Sequence, residues 1–219
     1  MNKQNKIISA SLVFLAIVIL HISGILFNET IAFFTKPFLM VSLVIVYLVS
    51  SKKANFWVVS ALFFSFWGDV FLLFKEEFFI YGLASFLIAH ILYIKITAGF
   101  LKKISFQKIA FSSIPFVLIL LGLLFLIKDN LEEMLLPVIV YGITICTFGA
   151  VALLNYMQER TSENLWLFLG AIIFIISDSL IAINRFYEPK EMYAISIMIT
   201  YIVAQYLICK AMVIKNTHQ

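Results

Sequence analysis

The most constraining feature of this sequence is a succession of apolar runs, each about as long as a lipid bilayer is thick. Eight such runs, separated by polar clusters, cover residues 7–27, 31–50, 54–74, 78–101, 106–127, 134–157, 165–186 and 192–214. A helix needs about 20 apolar residues to cross the hydrocarbon core. A chain with 63% hydrophobic and 13% charged residues is not an ordinary soluble domain. We therefore expect an all-α integral membrane protein with eight transmembrane helices, forming one domain over residues 1–219.

The charge pattern predicts the orientation of these helices. Basic residues are concentrated on one side of the membrane, with Lys3, Lys6, Lys52, Lys53, Lys102, Lys103, Lys108, Arg160 and Lys215. The positive-inside rule then places both termini in the cytoplasm, in a protein of the inner (cell) membrane. The net charge of +4 reflects this orientation, so that the sequence predicts no nucleic-acid partner.

The two halves of the chain look alike. Residues 86–93 align with residues 201–208, Asp69 aligns with Asp178, and Pro37 aligns with Pro137. Four helices in each half would insert the two halves in the same direction. We therefore expect two parallel four-helix repeats, residues 1–101 and 106–219, around a central polar cavity. The alternative is chance similarity, because apolar membrane helices have a monotonous composition.

Two aspartates lie inside these apolar runs. Asp69 is in the third run and Asp178 is in the seventh. A carboxylate near the bilayer centre costs about 2.5–3.5 kcal/mol on insertion scales, so that such a residue usually faces a polar interior with a partner. We expect the two carboxyl groups to meet in one cavity. The alternative is that each only hydrogen-bonds a neighbouring helix.

Further polar residues share this part of the membrane. At 1.5 Å of rise per residue, Lys36 and Arg185 fall towards the mouth of the cavity. His90, Tyr201 and Gln205 fall nearer the midplane. Simpler interpretations stay open: Lys36 can extend to the headgroups, Arg185 can lie at headgroup level, and His90 can be a packed core residue.

A metal site is the weaker interpretation of these residues. Asp69, Asp178 and His90 could in principle bind Zn²⁺ with a water as fourth ligand. A pair of histidines one helical turn apart is missing, and only His21 could add a second imidazole. The sequence therefore predicts no metal and no cofactor.

Four motifs resemble the YhhN-type lysoplasmalogenase family of multi-pass membrane proteins. They are Gly68-Asp69, the stretch 82–93 that ends in His90-Ile91-Leu92-Tyr93, Ser177-Asp178 followed by Arg185-Phe186, and Thr35-Lys36-Pro37. The resemblance covers nearly the whole chain. It implies an eight-helix hydrolase that cleaves the vinyl ether bond of a lysoplasmalogen. The products would be a fatty aldehyde and a glycerophospho-ethanolamine or -choline.

The candidate residues fit this chemistry. A vinyl ether hydrolyses through protonation of its outer alkene carbon, which leaves an oxocarbenium ion, and paired carboxyl groups serve similar ions in glycosidases. We expect Asp69 and Asp178 to be this pair, one as the general acid and the other stabilising the cation and orienting water. The sequence does not show which of them is the acid. His90 would orient these groups or relay a proton.

The remaining candidate residues would bind the lysophospholipid. Lys36 and Arg185 would hold the phosphate, while Tyr201 and Gln205 would line the glycerol region. Two alternatives remain. One is a small transporter or lipid-binding protein without hydrolytic chemistry. The other is a lipid hydrolase that uses metal-activated water. The oligomeric state is not predicted.

Overall fold

The protein is built from helices throughout the part that the structure describes. This computed structural model describes residues 2–216, in which eight α-helices and three short 3-10 helices occur without a strand. The α-helices are α1 (Lys3–Phe27), α2 (Glu29–Ser50), α3 (Phe56–Phe71), α4 (Lys75–Ala98), α5 (Phe106–Ile127), α6 (Leu135–Gln158), α7 (Ser162–Phe186) and α8 (Glu191–Lys215). The all-α prediction is confirmed.

Seven segments of the described chain are long and apolar enough to cross a membrane. They are Lys3–Phe27, Glu29–Ser50, Phe56–Ala98, Phe106–Asn130, Glu132–Gln158, Ser162–Phe186 and Glu191–Lys215. These apolar helices make the chain an integral membrane protein, as predicted. The eight predicted crossings, the repeats and the central cavity stay predictions.

The third of these segments is unusually long. It joins α3, the 3-10 turn Leu72–Phe74 and α4 into one helical stretch of 43 residues. Its middle is irregular, because Phe78 has φ −116° and ψ 17°, outside the helical range. The charged residues Lys75, Glu76 and Glu77 lie at this irregular point and are exposed. The stretch is therefore two helices joined by a polar bend.

The chain divides into two compact units, which are described separately. The first unit consists of Met1–Ala89 and Cys209–Gln219. In it, α2 packs against both α1 and α3. Asn28 separates α1 from α2, and its side chain accepts hydrogen bonds from the backbone N–H groups of Thr30 (3.1 Å) and Ile31 (3.4 Å). This capping satisfies backbone donors that have no partner within the helix.

Gly24 allows α1 and α2 to approach closely. A Cβ atom at this position would lie 2.5 Å from the backbone nitrogen of Ala32 and 2.9 Å from its Cα. Backbone atoms cannot rotate away as a side chain does. The packing of α1 on α2 therefore depends on a residue without a side chain at this point.

The second unit, His90–Ile208, has α6 packed between α5 and α7. Gly170 of α7 lies against α8, where an added Cβ would be 3.1 Å from the carbonyl oxygen of Ala204 and 2.8 Å from the side chain of Ile208. The core of this unit includes the fully buried rings of Phe148 and Phe174. Close helix approach and aromatic packing thus fix the helices that carry its polar residues.

We predict that Gly24→Ala destabilises the protein, because the new methyl group overlaps the backbone of α2. Overpacking of this kind costs about 1–3 kcal/mol. The thermal midpoint in detergent, followed by size-exclusion chromatography, should fall for this variant. Gly122→Ala is the matched control, since a Cβ at Gly122 meets no atom within 4 Å. Equal midpoints for both variants would contradict the close approach.

Candidate functional site

In the first unit, Asp69 is a buried carboxyl group on α3. Only 2% of its surface is exposed. The preceding residue, Gly68, leaves room for the ring of Phe86, whose Cε2 atom would be 2.5 Å from an added Cβ. The absence of a side chain at Gly68 thus lets an aromatic ring cover α3 directly beside Asp69.

Lys36 lies on α2, half-buried, and directly precedes Pro37. Its ammonium group is within electrostatic range of Asp69, and also of Lys75 and His21. Lys36 and Asp69, two residues predicted to belong to one site, therefore lie in the same unit.

His21 forms a second polar contact in the first unit. Its Nδ1 atom lies 2.9 Å from the hydroxyl oxygen of Thr35, while that hydroxyl donates to the carbonyl oxygen of Ile31 at 2.6 Å. Since the hydroxyl proton is used in this bond, Thr35 accepts from His21, whose proton is then on Nδ1. His21 is only 2% exposed, so that α1 adds a buried imidazole beside the start of α2.

In the second unit, Asp178 is held by a tyrosine from another helix. The hydroxyl group of Tyr141, on α6, donates a hydrogen bond to Oδ2 of Asp178, on α7. Both residues are half-buried. The neighbouring Ser177 is fully buried and donates to the carbonyl oxygen of Ile197, on α8, at 3.1 Å. These two bonds fix this turn of α7 against α6 and α8.

His90 is fully buried among aromatic rings. Its ring centroid is 4.6 Å from that of Phe174, 5.6 Å from that of Tyr141 and 6.1 Å from that of Phe148. The contacts with Phe174 and Tyr141 are edge-to-face. His90 therefore lies behind the tyrosine that binds Asp178.

Tyr201 and Gln205 extend this cluster on α8. Tyr201 is buried, and its ring packs edge-to-face on Phe174 at 5.6 Å. Gln205 is fully buried and accepts a 2.8 Å hydrogen bond from the hydroxyl group of Tyr93. The second unit therefore collects four predicted site residues, Asp178, His90, Tyr201 and Gln205, around shared aromatic rings.

Arg185 has a different environment. It is exposed in the last turn of α7, with its guanidinium carbon 6.0 Å from the ring centroid of Phe186. It follows Asp178 by seven residues, which corresponds to about 10 Å along the helix axis. Arg185 therefore lies at the helix end, two turns beyond the aromatic cluster.

Two tyrosines of this cluster had no role in the sequence analysis. Tyr141 is a polar residue within an apolar run, and Tyr93 follows His90 at helical spacing. That position within an apolar run was the available signal for Tyr141, since an aromatic hydroxyl group inside the membrane needs a partner. Among residues 2–216, no three His, Cys, Asp or Glu side chains are arranged to hold a metal ion.

Comparison with known proteins identifies the family. The sequence profile of the YhhN family matches residues 31–212. The chain belongs to the YhhN family. The resemblance inferred from the motifs is therefore confirmed, and the match includes all seven predicted site residues. Helix α1, which carries His21, precedes the YhhN match.

Two curated relatives are both named "Lysoplasmalogenase". They come from Mycobacterium bovis and Mycobacterium tuberculosis, and each is 31% identical to this YhhN protein over 160 residues. The alignment covers 69% of this chain and 58% of each relative, so that the chain spans little more than half the length of these relatives. No solved structure matches the chain.

Proposed function

We propose that this protein hydrolyses the vinyl ether bond of a lysoplasmalogen. The products are a fatty aldehyde and a glycerophospho-ethanolamine or -choline. Membership of the YhhN family and the name of the two mycobacterial relatives support this substrate class. The structural observation that supports it best is the hydrogen bond that Tyr141 donates to Asp178, because it gives a carboxyl group of an apolar helix a specific polar partner. Asp69, the other aspartate, is buried in the first unit with Lys36 within electrostatic range.

The reaction needs one acid and one negative charge. Protonation of the outer alkene carbon breaks the C=C π bond and leaves an oxocarbenium ion. Water adds to this ion and loses a proton, and the resulting hemiacetal divides into aldehyde and alcohol. One water molecule is consumed overall. We propose that Asp69 and Asp178 act together, one as proton donor and the other stabilising the cation and orienting water.

The other residues have binding or orienting roles in this proposal. His90 orients the reacting groups or relays a proton from within its aromatic cluster. Lys36 and Arg185 bind the phosphate, a role suited to a charged amine and to the planar guanidinium fork. Tyr201 and Gln205 line the glycerol region. The single hydrocarbon chain of the substrate, joined through the vinyl ether, lies against apolar side chains, as in most lipid sites.

We also propose that the 43-residue segment Phe56–Ala98 crosses the membrane twice, which gives eight crossings with both termini in the cytoplasm of a cell-membrane protein. At about 1.5 Å per residue the segment is about twice as long as the hydrocarbon core is thick. The exposed charges Lys75, Glu76 and Glu77 at its bend belong in water rather than in hydrocarbon. The bend would therefore lie at the outer surface.

A cysteine placed at this bend tests the topology. Glu76→Cys should react with a membrane-impermeant maleimide in intact cells. Lys103→Cys, in the next connection, should react only after permeabilisation. The natural Cys146 and Cys209 are buried, so that the background should be low. Labelling of Lys103→Cys in intact cells, or no labelling of Glu76→Cys, would contradict the proposed orientation.

Removing either acid should abolish most of the activity. We expect Asp69→Asn and Asp178→Asn each to lower kcat/KM for a vinyl ether lysolipid by about 10²–10⁴-fold, the usual contribution of a positioned acid or base. Aldehyde release by purified protein is the measurement. Asp129→Asn, at an exposed position between α5 and α6, is the matched control. A near-normal rate in either catalytic variant would exclude the paired-acid mechanism.

Wild-type protein separates this function from the transporter alternative. Release of aldehyde in stoichiometric amounts supports the hydrolase. Exchange of labelled lysolipid across proteoliposomes without any aldehyde would instead favour a carrier, and would exclude the hydrolase.

The phosphate-binding residues should affect KM. Arg185→Gln should raise KM several-fold with kcat unchanged, because it removes binding that is equal in the ground and transition states. Lys36→Gln should raise KM and also lower kcat, since it removes the cation in range of Asp69. Lys103→Gln is the control for a loss of positive charge at an exposed position. A fall in kcat alone for Arg185→Gln would contradict its binding role.

A further inference from the structure

Helix α2 has two halves that differ in how they are held. All of its buried side chains follow Pro37; they are Leu39, Met40, Ser42, Leu43, Val46 and Tyr47. In the first half, residues 29–36, every side chain is exposed or half-buried. This half carries Lys36, the residue proposed to bind the phosphate. Contacts outside the core of the unit therefore hold the backbone from which Lys36 extends.

Pro37 weakens the coupling between the two halves. A proline inside a helix has no N–H group for the carbonyl four residues earlier, which here is that of Phe33. Close to this point, the hydroxyl group of Thr35 donates to the carbonyl oxygen of Ile31 at 2.6 Å. Threonine bonds of this kind often bend helices. The first half of α2 can therefore change direction at Pro37 unless a neighbouring element restrains it.

Helix α1 supplies such a restraint at two points about one turn apart. Gly24 lies so close to α2 that an added Cβ would be 2.5 Å from a backbone nitrogen of that helix. Earlier on α1, Nδ1 of the buried His21 donates to the hydroxyl oxygen of Thr35 at 2.9 Å. Phe33 adds an edge-to-face contact with Phe74, at 5.6 Å between centroids, but both rings are exposed. The bond of His21 is thus a directional contact on the half of α2 that lacks a core.

This bond is one residue away from Lys36. Successive side chains of a helix differ by about 100° in direction, so that fixing the side chain of Thr35 also fixes the direction in which Lys36 leaves α2. Lysine has a flexible four-carbon stem, and its backbone position decides which region the ammonium group can sample. His21 precedes the region that the YhhN profile matches, whereas Thr35 and Lys36 lie within it.

We propose that His21 is a positioning residue for phosphate binding, which holds Thr35 and thereby sets the place of Lys36. This inference rests on the proposed lysolipid hydrolysis, in which Lys36 binds the phosphate. Without the bond from His21, the first half of α2 bends at Pro37 and the ammonium group spends less time at the phosphate. Helix α1 thus contributes to substrate binding without contacting the substrate.

Hydrogen exchange followed by mass spectrometry measures the restraint without any substrate. Amide exchange in residues 29–36 should become about 2–10-fold faster in Thr35→Val and in His21→Phe, since each variant removes the bond between α1 and α2. Thr35→Ser keeps the hydroxyl group and should exchange as wild type does. Ser42→Ala is the matched control, because the hydroxyl group of Ser42 donates to a carbonyl of α2 itself, and this variant should leave exchange in residues 29–36 unchanged.

Steady-state kinetics test the link to Lys36. Thr35→Val and His21→Phe should each raise KM for a vinyl ether lysolipid about three- to tenfold, while Thr35→Ser and Ser42→Ala stay within about twofold of wild type. The variant with both Thr35→Val and His21→Phe should resemble each single variant, because the two changes remove the same bond. In a Lys36→Gln background, Thr35→Val should change KM by less than about twofold, since the charge that it positions is gone.

Faster exchange, together with a rise in KM that disappears in the Lys36→Gln background, supports the inference. Unchanged exchange in Thr35→Val overturns the restraint by α1; this variant has nearly the shape of the wild type, so that it decides the matter even if His21→Phe does not fold. An unchanged KM, or a rise that persists without Lys36, overturns the positioning role and leaves the proposed function intact. A wild type that releases no aldehyde from vinyl ether lysolipid overturns the proposed function, and the role in phosphate binding falls with it.

Discussion

The scarcity of water inside a bilayer is the constraint on which this structure depends. A polar side chain within an apolar helix finds its partner inside the protein, since lipid offers none. Several cross-helix bonds follow from this: Tyr141 with Asp178, Tyr93 with Gln205, Asn155 with the carbonyl of Thr97, and His21 with Thr35. These pairs also set the rotation of each helix about its axis. The same interactions that satisfy polar groups therefore position the candidate chemistry.

Tyrosine is well suited to this task. The ring of Tyr93 stacks on Phe148 and that of Tyr141 packs on the His90 imidazole, while the hydroxyl groups of these tyrosines donate to an amide and to a carboxyl group. In the second unit, Tyr93 and Tyr141 both combine the two functions. The same two tyrosine side chains thus belong to both the aromatic packing and the hydrogen-bond network of this unit. A substitution that displaces either ring would also displace its hydroxyl group.

The sequence predicted the helices better than the contacts between them. Helix α5 has the predicted bounds, Phe106–Ile127, because hydropathy changes sharply at both ends. Helix α3 ends at Phe71 and continues as a 3-10 turn, a change of pitch that leaves hydropathy unaltered. The partner of Asp178 could not be predicted, because side chains turn by about 100° per residue and the facing residue depends on how each helix is rotated. Tyr141 was therefore missed, although the motifs around Asp69, His90 and Asp178 were sufficient to recognise the family.

The close contact of α1 with α2 extends the packed structure beyond the region that the family profile matches. The family match begins at residue 31, after α1 has ended at Phe27. Yet Gly24 lets α1 lie on the backbone at Ala32, and His21 supplies the partner of Thr35. A chain trimmed to the matched region would leave that hydroxyl group and that stretch of backbone against lipid. The region that the family profile matches is thus shorter than the set of helices that pack together in the first unit.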